Sequence, residues 1–345
     1  MSTNQSHNIT VEPSGRSFSV PQGQTILAAA IAAGVNLPYG CKDGACGSCK
    51  CRKISGEVEH GNYSRNALSQ EEEASGVILT CRAQALSDVV LESRQVTDAG
   101  SHPVKKLPVR VRRLEVLRPD VMRVELQLPA SEKFAYDAGQ YIDFLLRDGS
   151  RRSYSLANAP HTQESAPGLE LHIRHMPGGL FTDHVFSGMK EKDILRIEGP
   201  FGSCTLREDS DKPLLFIVSG TGFAPAKALL EHLQHIGSTR PVTLYWGGRR
   251  PQDIYMGDWL NQHTLPGGLR FVPVVSDAQP EDQWQGRTGL VHQAVLDDFA
   301  DLSTHQVYAC GTPAMVEAAR TSFTGTRHLA AEDFFADAFT SAADQ

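Results

Sequence analysis

One loop constrains this chain more than any other stretch: Cys41-Lys42-Asp43-Gly44-Ala45-Cys46-Gly47-Ser48-Cys49, answered by Cys81 after residues 50–80. As a pattern it is C-x4-C-x2-C…C, the plant-type spacing for a [2Fe–2S] cluster. The residue types follow from what such a group needs. Three thiolates must reach two irons from one short segment, so the backbone turns tightly, and Gly44 and Gly47 supply conformations that other residues resist. Backbone N–H groups left free by such a loop point at the sulfides and stabilise their negative charge, and Cys81 completes the cage from a distant strand. A zinc site is the rival, but zinc knuckles favour paired C-x2-C units, and only one such unit fits here. Cys51 lies two residues past the third ligand and reads as a bystander; Cys204 has no motif around it. A secreted disulfide scaffold would be shorter and more evenly stapled.

At 345 residues the chain is too long for one compact core and suits two or three domains. Its composition, 40% hydrophobic and 21% charged, is that of a soluble globular protein. The longest apolar stretch, Ile26 to Val35, is about half the length a bilayer requires. The polar N-terminus lacks the layout of a secretory signal, so no membrane insertion and a cytoplasmic location are expected. No block is basic enough to suggest nucleic acid as a partner. Residues 100–207, with 16 Lys/Arg against 13 Asp/Glu, are slightly basic, as suits a part that holds phosphates.

The periodicity changes twice along the chain. Residues 1–98 show a hairpin from Ile9 to Val20, a helix from Ile26 to Ala33 ended by Gly34, a loop from Tyr39 to Cys51, and strands at Gly56–Glu59, Val77–Arg82 and Val89–Glu92. This is an α+β, β-grasp pattern. A linker around Asp98–Pro103 follows. Residues 99–207 carry strands at Leu107–Leu117, Met122–Leu128, Tyr141–Leu146, Arg152–Leu156 and Leu169–Arg174, with a short helix at Thr182–Phe186; this predicts a small antiparallel β-barrel. Residues 208–345 alternate strands (Leu214–Ser219, Val242–Trp246, Arg270–Val275, Gln306–Ala309) with helices (Pro225–Gly237, Pro313–Ser322), an α/β parallel-sheet layout. The Glu71–Glu73 run reads as a solvated helix face.

Three further segments carry chemistry. In Arg152-Ser153-Tyr154-Ser155, alternation puts Arg152 and Tyr154 on one face of a strand and Ser155 on the other. Arg can grip a phosphate, Tyr can stack on a ring, and Ser can hydrogen-bond a flavin nitrogen. Gly178 and Gly179 then precede a short helix whose N-terminus suits a pyrophosphate. Gly220-Thr221-Gly222, after a buried strand, and the Tyr308–Met315 strand–turn–helix stand at the carboxyl edge of the parallel sheet, where ligands bind.

The cysteine loop resembles the plant-type ferredoxin family over roughly residues 7–95. The remaining motifs, in this order, resemble the ferredoxin–NADP reductase superfamily across residues 104–340. Within it the chain looks like reductase components of multicomponent oxygenases, of the phenol hydroxylase reductase type, and is similar to CDP-6-deoxy-hexulose dehydrase reductases. The resemblance implies FAD held by Arg152, Tyr154 and Ser155, with Ser155 near N5. It implies His172, Ile173 and Arg174 beside the flavin, and Gly179 and Thr182 on its pyrophosphate. A nicotinamide dinucleotide would lie over Gly220, Thr221 and Gly222 and along Gly311 and Met315. Cys310 would stand near its reactive carbon, with Arg249 or Arg250 near the adenosine. Ser219 stands where glycine is common, and Asn158 where many relatives have serine or threonine. Phe334, Phe335 and Phe339 either include an aromatic that covers the flavin or pack against the sheet.

The implied activity is an oxidoreductase passing electrons from NADH to FAD to [2Fe–2S] and on to a terminal oxygenase or dehydrase protein, the chain being a monomer in isolation. Hydride carries two electrons and the cluster takes one, so a flavin must stand between them. NADPH stays open because Arg249 and Arg250 could meet a 2′-phosphate. Two other readings are a free-flavin or general NAD(P)H diaphorase reductase, suggested by Tyr245–Arg250 and Gly286–Gly289, and a cluster-based redox sensor.

Overall fold

The computed structural model describes residues 6–96, 102–164 and 168–339. The chain divides into two compact units. One holds residues 1–102 with 202–204 and 336–345; the other holds 103–201 and 205–335.

In the first unit, β1 (Ser6–Glu12) and β2 (Arg16–Pro21) form a hairpin whose turn places Gly15 at φ +68°. Thr25 caps helix α1 (Ile26–Ala32) through its hydroxyl, which accepts from the Ala28 N–H, and Gly34 leaves at φ +72°. The sheet runs β2-β1-β7-β3-β5, where β3 is Lys50–Ser55, β5 is Val77–Leu79 and β7 is Val89–Glu92. A second small sheet pairs β4 (Val58–His60) with β6 (Ala83–Ala85). Between them the Glu71–Glu73 run lies on the one-turn helix α2 (Gln70–Ala74), none of it buried, closed by a Ser69/Glu72 capping box. The cysteine loop therefore spans only to Ser48 or Cys49: Lys50 opens β3, and Cys51 faces the core opposite Ile78.

Two further sheets follow along the chain. Strands β8 (Lys105–Arg118), β9 (Val121–Gln127), β10 (Tyr141–Leu145), β11 (Arg151–Ser155), β12 (Leu169–Arg174) and β13 (Ile194–Phe201) form an antiparallel sheet in the order β11-β10-β13-β8-β9-β12. A bridge from Leu156 to Leu171 joins the chain leaving β11 to the opposite edge, so the sheet curls around Val109, Val124, Leu126, Ile142, Phe144 and Leu171. Helix α3 (Leu180–Ser187) packs Phe181 and Val185 into that core. β13 was not anticipated: its apolar residues are interrupted by Arg196, Glu198 and Gly199, although it pairs with both β10 and β8.

The other sheet is built on β14 (Leu214–Ser219), β15 (Val242–Gly248), β16 (Leu269–Val275), β17 (Arg287–Thr288), β18 (Gln306–Gly311) and β19 (Phe334–Ala338), ordered β17-β16-β15-β14-β18-β19. β14 to β18 are mutually parallel. β14 buries five residues in succession, as a strand covered on both faces does. Helices α4 (Phe223–His235), α5 (Gly257–Gln262), α6 (Val291–Asp298) and α7 (Pro313–Thr326) complete it. Phe334 and Phe335 are strand residues, both buried; Arg320 lies over Phe334, and Phe335 stacks on Tyr308 at 4.9 Å. That is the sheet-packing alternative for these two; Phe339 is half-buried.

No helix among the described residues is long and apolar enough to cross a membrane.

Candidate functional site

Cys41, Cys46 and Cys49 come from the loop between α1 and β3, and Cys81 from the turn between β5 and β6. Cys41 is half-exposed and the other three are buried. Cys49 Sγ lies 3.2 Å from Cys81 Sγ, and the Cys46 sulfur accepts the N–H groups of Cys41 (3.3 Å) and Ser48 (3.4 Å). Gly44 and Gly47 take φ of +83° and +74°. A Cβ on Gly44 would stand 2.7 Å from the Arg82 side chain and 2.9 Å from that of Tyr63, so the glycine is needed for space as well as for backbone.

The donor set fits a [2Fe–2S] cluster. Contact with Cys41 first, then burial, holds Cys46 well above the ordinary thiol range; contact with Cys41 and then Cys49 does the same to Cys81. The contact with Cys46 pulls Cys41 the other way. Thiols crowded like this cannot all ionise without positive charge among them. The Ser48 hydroxyl, buried and without a partner, adds a donor inside the loop. Cys51 stands apart from these four, on β3 opposite Ile78; burial, then the neighbouring Cys49, pushes its thiol up to about 12.

On the curled sheet, Arg152, Tyr154 and Ser155 lie along β11 against Phe144, Ile142 and Tyr141 of β10. The Tyr154 ring is held edge-on to Phe144 at 5.9 Å and against Phe181 at 5.5 Å. Among the described residues, Arg152 donates to the Arg151 carbonyl at 2.7 Å. Gly179 caps α3 with no side-chain oxygen, leaving the first N–H groups of that helix open. A Cβ there would meet Thr182 Oγ1 at 2.6 Å and the Met176 carbonyl at 2.8 Å. The Thr182 hydroxyl is itself engaged in the turn, bonded to the Met176 N–H and carbonyl at 3.2 and 2.9 Å. These groups fit a dinucleotide's phosphates and ring.

His172 and Ile173 are both buried. The His172 ring is enclosed, with Nδ1 3.0 Å from the Tyr255 hydroxyl and Nε2 2.8 Å from Glu170. Ile173 is a core residue. Arg174 differs: Asp120 accepts from its Nε at 3.0 Å, and its Nη1 lies 3.2 Å from where a Gly220 Cβ would be.

Gly220, Thr221 and Gly222 form a single 3₁₀ turn between β14 and α4. A Cβ on Gly222 would fall 2.1 Å from the Cys310 carbonyl oxygen. Gly311 has φ +146°, and a Cβ there would fall 2.1 Å from Ser219 Oγ and 3.1 Å from Met315 Cε. Ser219 accepts the Thr312 N–H at 3.2 Å and so ties the turn to the start of α7. Cys310, next to last in β18, is fully buried, opposite Val218. Arg249 is exposed, 3.5 Å from Asp277. Arg250 is bound by Asp282 (2.6 and 2.9 Å) and Glu281 (3.0 Å).

Comparison with known proteins decides the family. Three family models match in succession: the 2Fe-2S iron-sulfur cluster binding domain (residues 9–86), the oxidoreductase FAD-binding domain (108–206) and the oxidoreductase NAD-binding domain (216–321). The chain is 41% identical over 335 residues to CDP-6-deoxy-L-threo-D-glycero-4-hexulose-3-dehydrase reductase of Yersinia pestis, covering 96% of this chain and 98% of that one. The chain belongs to the iron–sulfur flavoprotein reductases. Reductase component 2 of terephthalate 1,2-dioxygenase from Comamonas is 35% identical, with 96% and 97% of the two chains covered. Among solved structures, an Amycolatopsis cytochrome P450 reductase matches with a TM-score of 0.75 at 34% identity, covering 97% of this chain and 99% of that one.

The reductase also contains polar residues that motif reading passed over. Asp253, buried, accepts the N–H groups of Arg249 (2.7 Å) and Arg250 (2.9 Å) and pairs with Arg118 of β8. Lys227 is buried on α4. Its ammonium donates to the Ala157 carbonyl at 2.9 Å and to Glu231 at 2.6 Å, and lies 3.4 Å from Glu170. Burial alone would raise Glu170, but His172, Lys227 and Arg123 outweigh it and bring the carboxyl to about 2. The signal available was a lysine inside the otherwise apolar run Phe223–Leu230.

Proposed function

We propose that this reductase transfers electrons from NADH through FAD and a [2Fe–2S] cluster to a separate oxygenase or dehydrase component. The parts are a β-grasp ferredoxin domain (residues 1–98), a flavin β-barrel (99–207) and a nicotinamide domain (208–345). The observation that carries the reading is that donor groups for all three cofactors stand in one chain, the flavin region between the other two in sequence. Bound there, FAD supplies the conversion of a two-electron hydride into single electrons for the cluster.

The roles of the side chains follow from their surroundings. Arg152 grips a flavin phosphate, Tyr154 supports the flavin from its fixed aromatic setting, and Ser155 donates near N5. The open N-terminus at Gly179 receives the pyrophosphate, with Thr182 shaping the turn. The close approach of Gly222 to Cys310 brings Cys310 to the carboxyl edge where a nicotinamide ring lies, between Met315 and the Gly220 turn. Arg174 approaches that turn from the flavin side. Two acids already neutralise Arg250, and Asp277 stands beside Arg249, so a 2′-phosphate would meet negative charge; this favours NADH.

The relatives' names support an acceptor among dehydrase and oxygenase components. The reductase is proposed to be cytoplasmic and monomeric until it meets that partner. Anaerobic titration of the purified protein with NADH tests the scheme. Two electrons on the flavin and one on the cluster require about 1.5 equivalents of NADH. Saturation at about one equivalent, with the cluster still oxidised, would sink it.

A further inference from the structure

We propose that Ser203 is a positioning residue for the [2Fe–2S] cluster, holding the loop segment that leads into Cys41. The inference rests on the reading of that loop as the cluster site. Ser203 is 164 positions from Tyr39, yet three hydrogen bonds join the two residues. The Tyr39 N–H donates to Ser203 Oγ at 2.8 Å, Ser203 Oγ donates to the Tyr39 carbonyl at 3.1 Å, and the Ser203 N–H donates to the same carbonyl at 3.3 Å. Residues 202–204 pack as part of the ferredoxin unit although they directly follow β13 in sequence.

Tyr39 stands two residues before Cys41, the most exposed of the four ligands. A loop that ends in an exposed ligand has few internal contacts to fix it, and the clamp supplies them from outside the N-terminal sequence. A second distant segment meets the same stretch. A Cβ on Gly40 would lie 3.3 Å from the unpartnered Ser48 hydroxyl and 3.5 Å from Oδ1 of the buried Asp337. The setting of Cys41 is thus shaped by residues 203 and 337 as well as by its own loop.

Ser203→Ala removes both bonds through Oγ and keeps the backbone bond; Ser203→Thr keeps the hydroxyl. Full-length wild-type, S203A and S203T proteins are compared by EPR of the dithionite-reduced cluster, by the rate of iron loss to a ferrous chelator, and by FAD content. For S203A the expected outcome is unchanged FAD, an altered EPR line shape, and iron loss accelerated about tenfold, the factor that the loss of two neutral hydrogen bonds implies. S203T should restore both cluster readouts. An S203A protein with wild-type EPR and wild-type iron loss would overturn the proposal, as would equal impairment of S203A and S203T. A wild-type protein without any [2Fe–2S] EPR signal would instead refute the reading of the loop itself.

Discussion

Replacing Lys227 by Met tests how the two sheets of the second unit are held together. Methionine keeps the apolar stem of the lysine but removes the ammonium that serves Ala157, Glu170 and Glu231. Both carboxylates are mostly buried and would lose that shared cation. Breaking a buried pair in this way costs about 3–5 kcal/mol; Glu170 keeps His172 and Arg123, so the lower end, about 3 kcal/mol, is expected. For a unit of this size each kcal/mol is worth roughly 2–4 °C, so its midpoint should fall by about 6–12 °C. The assay is a thermal melt followed by flavin release, with cluster absorbance reporting the other unit, whose transition should not move. Adding Glu170→Gln and Glu231→Gln should recover most of the loss, because no unpaired charge then remains. The pH dependence has a definite sign. Glu170 sits at about 2 against an ordinary 4.5. Its contribution, on the order of 3 kcal/mol, is complete above pH ~4.5 and is lost as pH falls toward ~2. Without Lys227 the carboxyl titrates higher, so the gap between wild type and variant should narrow on acidification. A midpoint shift below about 2 °C at neutral pH would refute the reasoning.

Three further outcomes follow from the nucleotide sites. Arg152→Ala should weaken FAD binding by roughly 10- to 150-fold, the effect of removing a charged hydrogen bond worth about 1.5–3 kcal/mol, as read by flavin titration of apoprotein; unchanged affinity would remove Arg152 from the site. Cys310→Ser should slow flavin reduction by NADH in stopped flow while leaving flavin content intact, and a wild-type rate would make Cys310 purely structural. Asp282→Asn with Glu281→Gln should release Arg250 and raise kcat/KM for NADPH relative to NADH by about tenfold; no change in that ratio would show that Arg250 does not face the adenosine.

The grouping of Cys41, Cys46, Cys49 and Cys81 was legible because the proposed cluster chemistry dictates both residue type and spacing, and the long elements because β14 and α4 carry strong apolar patterns. β13 was hidden because charged side chains and Gly199-Pro200 break its alternation, and only its two neighbours make it a strand. Helix α5 escaped because it is one short segment burying Leu260 alone. The His172 and Glu170 pair could not be assigned from sequence, since alternation tells which face a side chain takes but not whether Tyr255 and Lys227 enclose it. The clamp at Ser203 leaves no local trace at all. It also bears on experiments with truncated chains: removing residues 1–98 would strip residues 202–204 and 336–339 of their packing, so a point substitution isolates the cluster more cleanly.

Stopped-flow reduction of a Cys49→Ser protein by NADH therefore tests the order of electron flow most directly. Cys49 touches Cys81 and no proposed flavin or nicotinamide residue. The account predicts that flavin bleaching keeps its wild-type rate and ferricyanide reduction persists, while cytochrome c reduction collapses, because cytochrome c draws electrons from the cluster. Normal cytochrome c reduction by a folded, FAD-containing variant lacking the cluster would contradict it, and so would loss of ferricyanide activity with FAD still bound.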